Sequence, residues 1–396
     1  MDATSRWPSR TVLGFTYGIS GILAGAISLA FGQSKNFAVF SQAARDLVAG
    51  RDLYELHAAD YFKYSPSFAL LFLPFAVSHT WLAAPLWSFA NFLLAFLGVD
   101  RLVEDEGQKR TALWIAIPGI LLATDGDQSN LLVTGAFFMA LHALEHRRVA
   151  CGAAWVALGA FVKLFPLLAV AFALFRPLSA RGRAFGAIAL ASAMGLLLPL
   201  LVLTPAELLA QYTSWAHLLA RDHGNRGWSV MHMLQMAHAT SGWSNLPIQL
   251  AALFVQAVSI LLGLRLGTTA AWRRTLACSL LVFTVLFNHR TEYASFVISA
   301  LAVGVWYATS APSWTPHGLR GFLVALATIA PGPFFARPDP QVAGFFSFLA
   351  AHREFHPLRV VPLFLLWILM NIDLLLPMFQ SARGHASARR YPAMAS

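Results

Sequence analysis

Ionised residues and cysteines are scarce in this chain of 396 residues. Asp, Glu, Lys and Arg together make up 12% of it, and 18 residues are acidic. The two cysteines, Cys151 and Cys278, both lie within apolar runs, which excludes a disulfide framework and a CxxC metal site. Internal repeats and low-complexity tracts are absent as well. So little charge is not typical of a soluble chain of this length.

Apolar residues predominate in the sequence. They make up 58% of the chain, and the mean hydropathy is +0.61, which is typical of a protein whose outside faces lipid. We therefore predict an all-α, polytopic transmembrane bundle with about ten to thirteen spans. It forms one domain over residues 1–380, and its first span, 11–31, is longer than a signal-peptide core. Residues 381–396 form a basic cytoplasmic tail.

The net charge of +10 does not point to nucleic acid, because the basic residues occur in short clusters between apolar runs. Such clusters mark the cytoplasmic side of membrane proteins, so we expect a multi-pass protein with both termini in the cytoplasm. The clusters are Arg6/Arg10, Arg101/Lys109/Arg110, Arg147/Arg148, Arg176/Arg181/Arg183, Arg265/Arg273/Arg274 and Arg383/Arg389/Arg390.

Two segments are too polar to cross hydrocarbon, where one ionised side chain costs roughly 2.5–3.5 kcal/mol. Residues 32–66 form an outer juxtamembrane loop with interfacial helices, and residues 204–245 form a second outer loop with an amphipathic stretch. Residues 68–99 contain two prolines and read as one bent span or two short helices; a single crossing agrees with the later basic clusters. Around Lys163 we expect two half-helices that meet at the outer side.

The polar residues that are hard to explain structurally collect on the predicted outer side. Carboxylates beside several cations suit a site that activates a hydroxyl and neutralises a phosphate leaving group. Glu292, in apolar surroundings, would suit a general base. The alternative for the turn Asn288–Glu292 is an internal ion pair between Arg290 and Glu292 that locks two helix ends.

Other outer residues suit anion or sugar binding, and each has a simpler explanation. Lys163 suits a phosphate, or it extends to the lipid headgroups. Asn225 and Arg226 lie between two glycines in an anion-binding loop or in a solvated turn. Tyr64 suits a sugar face or the interfacial aromatic belt.

A metal is the weaker reading of the acidic turn Asp125-Gly126-Asp127. Two carboxylates near Gln128 suit a hard divalent ion, but a capped turn before a helix opened by Asn130 explains them as well. His142, His146 and His217 have no second metal ligand at a recognisable spacing. We therefore expect no metal and no other cofactor.

Five short motifs occur in an order that resembles a known family. They are Gly50–Tyr54 (GRDLY), Tyr64–Pro74 (YSPSFALLFLP), Gln128–Asn130 (QSN), Val162–Pro166 (VKLFP) and Phe287–Glu292 (FNHRTE). Together they resemble the bacterial DUF2029 proteins, glycosyltransferase family 87, which are membrane enzymes of GT-C fold related to mycobacterial mannosyltransferases. The resemblance runs from about residue 15 to residue 307.

The resemblance implies a hexosyl- or mannosyl-type transfer, with inversion, from a polyprenyl-phosphate sugar to a lipid or glycan acceptor. The reaction would take place on the non-cytoplasmic face of the bacterial inner membrane. Many members have a catalytic Asp where this chain has Asn36, and a neutral amide cannot take a proton. Either Glu292, Asp46 or Asp52 is then the base, or the activity has been lost or altered. We predict catalytic roles for Glu292, Asp52 and Asn36, and substrate or phosphate binding by Lys163, Asn225, Arg226, Asn288, His289, Arg290, Tyr64, Gln128 and Asn130.

Two other functions fit parts of the sequence. A lipid-linked glycan transporter or flippase would bind the same ligand without chemistry, since ions within a membrane protein also mark permeation paths. Such a transporter needs polar groups along the bilayer midplane, whereas here they collect at one face. A structural membrane subunit explains the composition but not the clustered charges.

Overall fold

A computed structural model describes residues 9–56, 60–123, 127–221, 226–239, 242–310, 316–329 and 360–375. These residues are almost entirely helical, and no strand occurs among them, so the all-α prediction is confirmed for this part of the chain. The α-helices are α1 (Arg10–Ala30), α2 (Lys35–Val48), α3 (Pro66–Ala76), α4 (Thr80–Leu102), α5 (Glu106–Ala123), α6 (Asn130–Glu145), α7 (Val149–Val162), α8 (Leu178–Leu197), α9 (Pro205–Arg221), α10 (Val230–Met236), α11 (Leu246–Leu266), α12 (Ala270–Leu286), α13 (Phe296–Thr309), α14 (His317–Ile329) and α15 (Val360–Leu375). Two longer 3-10 segments, Phe165–Phe175 and Leu198–Leu201, flank α8.

Four helical segments are long and apolar enough to cross a membrane: Arg10–Ala30, Thr80–Leu102, Leu178–Leu201 and Leu246–Leu266. Shorter apolar helices accompany them, among them α6, α7, α13 and α15. The chain is thus a membrane protein by its helices, and the first predicted span is confirmed as a helix of membrane-spanning length. The count of ten to thirteen spans stays a prediction.

Lipid-facing surfaces are visible on the span-length helices at the edge of the bundle. α1, α8 and α11 bury only a small part of their residues and expose large apolar side chains such as Phe15, Met194 and Phe254. In water such surfaces would be costly, whereas in a bilayer they contact acyl chains.

Glycines bring the central helices into close contact. α1 crosses α4 at Gly21 and Gly25, where a Cβ would lie 2.9 Å from Phe89 Cα and 2.7 Å from Pro85 Cα. α4 crosses α6 at Gly135, whose Cβ would lie 2.3 Å from the carbonyl oxygen of Leu94. Small residues at such crossings let helix backbones approach, which is how apolar helices associate in lipid.

Two groups of charged and polar residues lie at opposite ends of the bundle. One end, the basic end, joins the predicted cytoplasmic clusters by contacts between different helices. Arg10 lies 2.6 Å from Asp100, which also pairs with Lys109 at 3.1 Å, and Arg273 lies 2.6 Å from Glu145. The other end, the site end, holds the turns at 127–130, 163 and 287–292, because the helices that leave the basic end finish there.

Three predictions about how the chain runs through and along the membrane can be compared with these helices. Residues 66–102 form two helices, of which only α4 has the length of a span, so they provide one span-length helix. Lys163 lies between α7 and the 3-10 segment Phe165–Phe175, as the half-helix prediction requires. The amphipathic stretch after Thr204 is helix α9, and its first turn carries a reciprocal capping box. Thr204 Oγ1 accepts from the Glu207 amide at 3.3 Å, and the Glu207 carboxylate accepts from the Thr204 amide at 2.7 Å.

Candidate active site

Aromatic side chains of the first loop, α3 and α4 form a cluster next to the site. The Phe40 ring of α2 lies 4.8 Å from the Tyr64 ring, 5.1 Å from Phe68 and 6.2 Å from Trp87, mostly edge to face. Such contacts stabilise beyond the area they bury, so α2, α3 and α4 are locked together here. Tyr64, which closes the loop, is thereby held at a defined place.

The chain after Tyr64 fixes that place further. Pro66 occupies the first turn of α3, where a missing N–H costs nothing, and Ser65 caps the helix by accepting from the amide of Phe68 at 3.2 Å. The Ser65 hydroxyl also donates to the carbonyl of Phe161 near the end of α7, at 2.6 Å. As a result, Tyr64 lies next to Lys163, whose Nζ is 5.8 Å from the centre of its ring.

A relay of hydrogen bonds starts at Lys163 and ends at Glu292. Lys163 Nζ donates to Asn130 Oδ1 at 2.6 Å, and Asn130 Nδ2 donates to Gln128 Oε1 at 3.3 Å. Gln128 Nε2 in turn donates to Glu292 Oε2 at 3.0 Å. All three bonds have the same direction, from the ammonium to the carboxylate, so each polarises the next.

Burial differs along this relay. Asn130 is 1% exposed and is also fixed by donating to the carbonyl of Ala294 at 2.8 Å. Lys163 is half-buried, and Glu292 is exposed. The expected apolar surroundings of Glu292 are therefore wrong, since its side chain is exposed although the neighbouring Thr291 is buried. An exposed carboxylate can reach a substrate hydroxyl from the open side of the site.

The titration of two groups follows from their surroundings. The pKa of Lys163 is lowered to about 8, mainly by burial; the attraction of Glu292 opposes this shift and the repulsion of Lys63 adds to it. Burial raises the pKa of the Tyr64 phenol, so this hydroxyl stays protonated in the physiological range. At neutral pH the site thus presents an ammonium, a phenol and the two amides of the relay.

The turn Asn288–Glu292 is held by hydrogen bonds within the turn and by a segment of the second outer loop. Asn288 Oδ1 accepts from the amide of Arg290 at 2.9 Å, and the Asn288 carbonyl accepts from the amide of Thr291 at 3.2 Å. The amide of Trp228 donates to the Thr291 carbonyl at 2.7 Å. Gly227, at φ +45°, touches the same turn, and a Cβ there would lie 2.4 Å from that carbonyl oxygen. Only glycine fits this close approach.

The structure brings most of the predicted anion-binding residues to this end of the bundle. Tyr64, Gln128, Asn130 and Lys163 contact one another as described, while Asn288, His289 and Arg290 belong to the adjoining turn. Arg226 lies beside that turn, one residue before Gly227, and its guanidinium donates to the carbonyl of Trp243. Asn225 lies outside the described residues.

The acids of the first loop have structural partners. Asp52 is exposed, and its carboxylate accepts from the Tyr54 amide and from the Ser214 hydroxyl, both at 3.0 Å. Asp46 is 5% exposed and accepts from Arg51 and Gln42. Neither is joined to the relay by a direct hydrogen bond.

Asn36 lies in the first turn of α2, one helical turn before Phe40 and therefore on the face of α2 that meets the aromatic cluster. It is half-buried, which leaves its amide accessible beside this cluster.

Asp127 serves the fold around the relay. It has a left-handed backbone (φ +56°) and is 4% exposed; its carboxylate accepts from Ser88 at 2.8 Å and its carbonyl from Trp87 Nε1 at 2.7 Å. These bonds hold the turn that delivers Gln128. Asp125 lies outside the described residues, and among the residues that are described no group of three His, Cys, Asp or Glu could hold a metal.

Sequence reasoning predicted the amphipathic helix α9 but missed that this helix supports the first loop. Gln211 and Trp215 of α9 donate to the carbonyls of Arg51 and Lys63, at 2.8 and 3.1 Å. The amphipathic pattern of α9 indicated an interfacial helix but not what its polar residues touch. The one available signal was Gln211, a polar side chain on the face that carries Leu208, Tyr212 and Trp215.

In the described part of the chain, a helical membrane bundle thus carries an acid, a lysine and aromatic rings together at one end. The family comparison makes the class specific. The model of glycosyltransferase family 87 matches residues 62–289, more than half of the chain, so the chain belongs to this family. A comparison with curated proteins finds no match. Family membership indicates a membrane glycosyltransferase.

Proposed function

We propose that this glycosyltransferase moves a hexosyl residue, mannose-like in type, from a polyprenyl-phosphate sugar to a lipid or glycan acceptor. The reaction takes place on the non-cytoplasmic face of the bacterial inner membrane, which places the basic end in the cytoplasm. The observation that supports this most is the relay from Lys163 to Glu292, because it fixes a cation and an exposed carboxylate at the same end of a lipid-facing bundle.

The proposed chemistry is a single displacement with inversion. Glu292 takes the proton of the acceptor hydroxyl as the hydroxyl oxygen attacks the anomeric carbon of the sugar. The bond from that carbon to the phosphate oxygen breaks, and the polyprenyl phosphate leaves with the electron pair. Lys163 lies where this growing negative charge needs stabilisation, with Arg226, His289 and Arg290 on the adjoining turn.

The remaining residues position the substrates. Gln128 and Asn130 hold the base and the ammonium at a fixed separation through the relay, and Tyr64 offers a ring face for the sugar beside Lys163. Asn36 and Asp52 lie on the loop side of the site and contact the sugar or the acceptor. The isoprenoid chain enters between helices, so the donor reaches the site from the bilayer and no soluble nucleotide-sugar motif is needed.

Transfer of radiolabelled sugar tests this function directly. Purified protein in lipid nanodiscs receives a panel of polyprenyl-phosphate sugars and membrane-extract acceptors. We expect transfer by the wild type and a fall of about 10²- to 10⁴-fold in Glu292→Gln, as for other general bases. Glu104→Gln is the matched control, since Glu104 is 80% exposed at the basic end, and it should keep wild-type activity.

Two results would contradict the proposal in different ways. Wild-type protein that binds a donor without transferring it would be a carrier, and gain of transfer in Asn36→Asp would place the missing base at that position. Wild-type transfer that survives in Glu292→Gln would keep the enzyme and move the base elsewhere, with Asp52→Asn as the next variant.

A further inference from the structure

Helix α9 holds the first loop through one buried amide. Gln211 is 6% exposed, and its Nε2 donates to the Arg51 carbonyl at 2.8 Å while its Oε1 accepts from the Leu53 amide at 3.1 Å. A side-chain amide that makes both bonds copies the pairing of a neighbouring strand, so it fixes the loop backbone in direction as well as position. A buried backbone group without such a partner would be costly.

The same helix face fixes both ends of the loop. Ser214 donates to the carboxylate of Asp52 at 3.0 Å, and Trp215 Nε1 donates to the carbonyl of Lys63 at 3.1 Å. Inside the loop, the Tyr54 hydroxyl donates to the carbonyl of Tyr64 at 2.9 Å. The contacts therefore lead from Gln211 through residues 51–54 to Tyr64, which packs beside Lys163.

Besides these bonds, α9 packs on the aromatic cluster: Leu208 is buried in it, and Tyr212, Trp215 and Leu218 pack against it. Its buried residues are Leu208 and Gln211, while Leu209 is 69% exposed on the outer face. Tyr212 adds a bond to the carbonyl of Leu196 at 2.9 Å. The helix thus lies on the first loop with one face and towards the membrane interface with another.

We infer that Gln211 is a positioning residue for transfer: through residues 51–54 it holds Tyr64 against Lys163 and so fixes the cation that meets the donor phosphate. Since this role rests on the proposed function, its test needs a readout that does not depend on transfer. The Tyr64 ring covers one side of the Lys163 ammonium, with its centre 5.8 Å from Nζ, so the titration of that amine reports whether the loop is in place.

Competitive labelling of the lysines with acetic anhydride across a pH range, read by mass spectrometry, measures the pKa of Lys163 in the protein without substrate. The charged groups that face Lys163 are Glu292 and Lys63, and both remain in the variant. In Gln211→Leu we expect the pKa of Lys163 to rise from about 8 towards its ordinary value, because water returns to the amine. Exposed Lys35 serves as an internal reference.

Gln256→Leu is the matched control. Gln256 is a second buried glutamine, 1% exposed, which bonds to Ser279 and Asn371 in the bundle between α11, α12 and α15. The same substitution there removes buried hydrogen bonds away from the first loop. We expect the pKa of Lys163 to stay unchanged in this variant, so general destabilisation is separated from positioning.

Two further measurements complete the test: the rate of sugar transfer and a double variant with Tyr64→Ala. In Gln211→Leu we expect kcat/KM to fall about 10- to 100-fold, as for other displaced catalytic groups. In a Tyr64→Ala background the same change should add little to the shift in pKa, because the two residues act in series.

An unchanged Lys163 pKa in folded Gln211→Leu would overturn the positioning role. If that variant does not fold, Ser214→Ala, which removes one bond of the same interface, should move the pKa in the same direction, and no movement would overturn the role equally. Absence of transfer by the wild type would refute only the proposed function, because the pKa of Lys163 is measured without transfer.

Discussion

Lys163 is the residue whose surroundings most constrain the chemistry. It ends α7 in an extended conformation, donates to Asn130 and lies over Tyr64, so its ammonium loses water on several sides. A lysine with a lowered pKa is still mostly protonated at neutral pH, which suits it to an anionic leaving group. The carboxylate of Glu292 at the far end of the relay keeps that charge balanced.

Donor affinity should depend on pH through this amine. Because the pKa of Lys163 is lowered to about 8, the ammonium is present below that pH and is lost above it. We expect the Kd of a polyprenyl-phosphate sugar to be flat below about pH 8 and to rise as the pH increases beyond it. Isothermal titration in nanodiscs across pH 6.5–10, a range of about 3.5 units around the lowered value, measures this.

Substitutions should shift the alkaline limb of this pH dependence, the rise in Kd above about pH 8, in opposite directions. Lys163→Arg keeps the charge at every pH of the series, so its affinity should lose the alkaline limb. Lys63→Gln removes a repelling charge and should shift the limb to higher pH, whereas Glu292→Gln removes an attracting charge and should shift it lower. A limb that ignores all three changes would assign the phosphate to another cation.

At the scale of elements, the crossing of α4 and α6 depends on two glycines that face each other. A Cβ at Gly98 would lie 2.9 Å from Gly135 Cα, and one at Gly135 would lie 2.3 Å from a carbonyl oxygen. No L side chain fits without separating the two backbones. α6 begins with Asn130, so this crossing also determines where the relay starts.

Gly135→Ala should therefore destabilise the protein by about 1–3 kcal/mol, the usual cost of overpacking. Gly182→Ala is the control, since Gly182 lies on exposed α8 with nothing within 4 Å of its Cβ, and alanine should be neutral or stabilising there. Thermal unfolding in detergent, followed by tryptophan fluorescence, measures both. Equal melting temperatures for the two variants would mean that α4 and α6 separate without loss.

The sequence allowed the helices to be predicted better than their contacts. Apolar runs and capping residues located α1, α9 and the break at Lys163, because these features depend on local chemistry. The relay combines residues 128, 130, 163 and 292, and its existence depends on how α6, α7 and α13 pack. The positions of these residues in the sequence do not indicate how the helices pack.

Glu292 also shows that the surroundings of a side chain cannot be predicted from its neighbours in the sequence. Its apolar flanks suggested a buried carboxylate, but the structure exposes Glu292 while it buries the neighbouring Thr291. Gln211 escaped prediction for a related reason. A lone glutamine on an amphipathic helix has no distinctive signature until its partners, Arg51 and Leu53, are known.

At the scale of the whole molecule, the two ends of the bundle carry different chemistry. The basic end pairs arginines and lysine with a few acids at the helix ends, while the site end combines amides, aromatic rings and the relay. If the basic end faces the cytoplasm, the site end is reached from the other side, where a lipid-linked sugar is the available type of donor.

Cysteine accessibility tests this orientation with the cysteines that the chain already has. Cys151 is exposed near the start of α7 at the basic end, and Cys278 is buried. We expect a membrane-impermeant maleimide to leave the wild type unlabelled in intact cells and to label Cys151 after permeabilisation. Asp60→Cys in a Cys151→Ser background should behave oppositely, because the side chain at position 60 is 55% exposed at the site end. The reverse pattern would turn the site towards the cytoplasm, where soluble nucleotide sugars are present, and would remove the reason for a polyprenyl-phosphate donor.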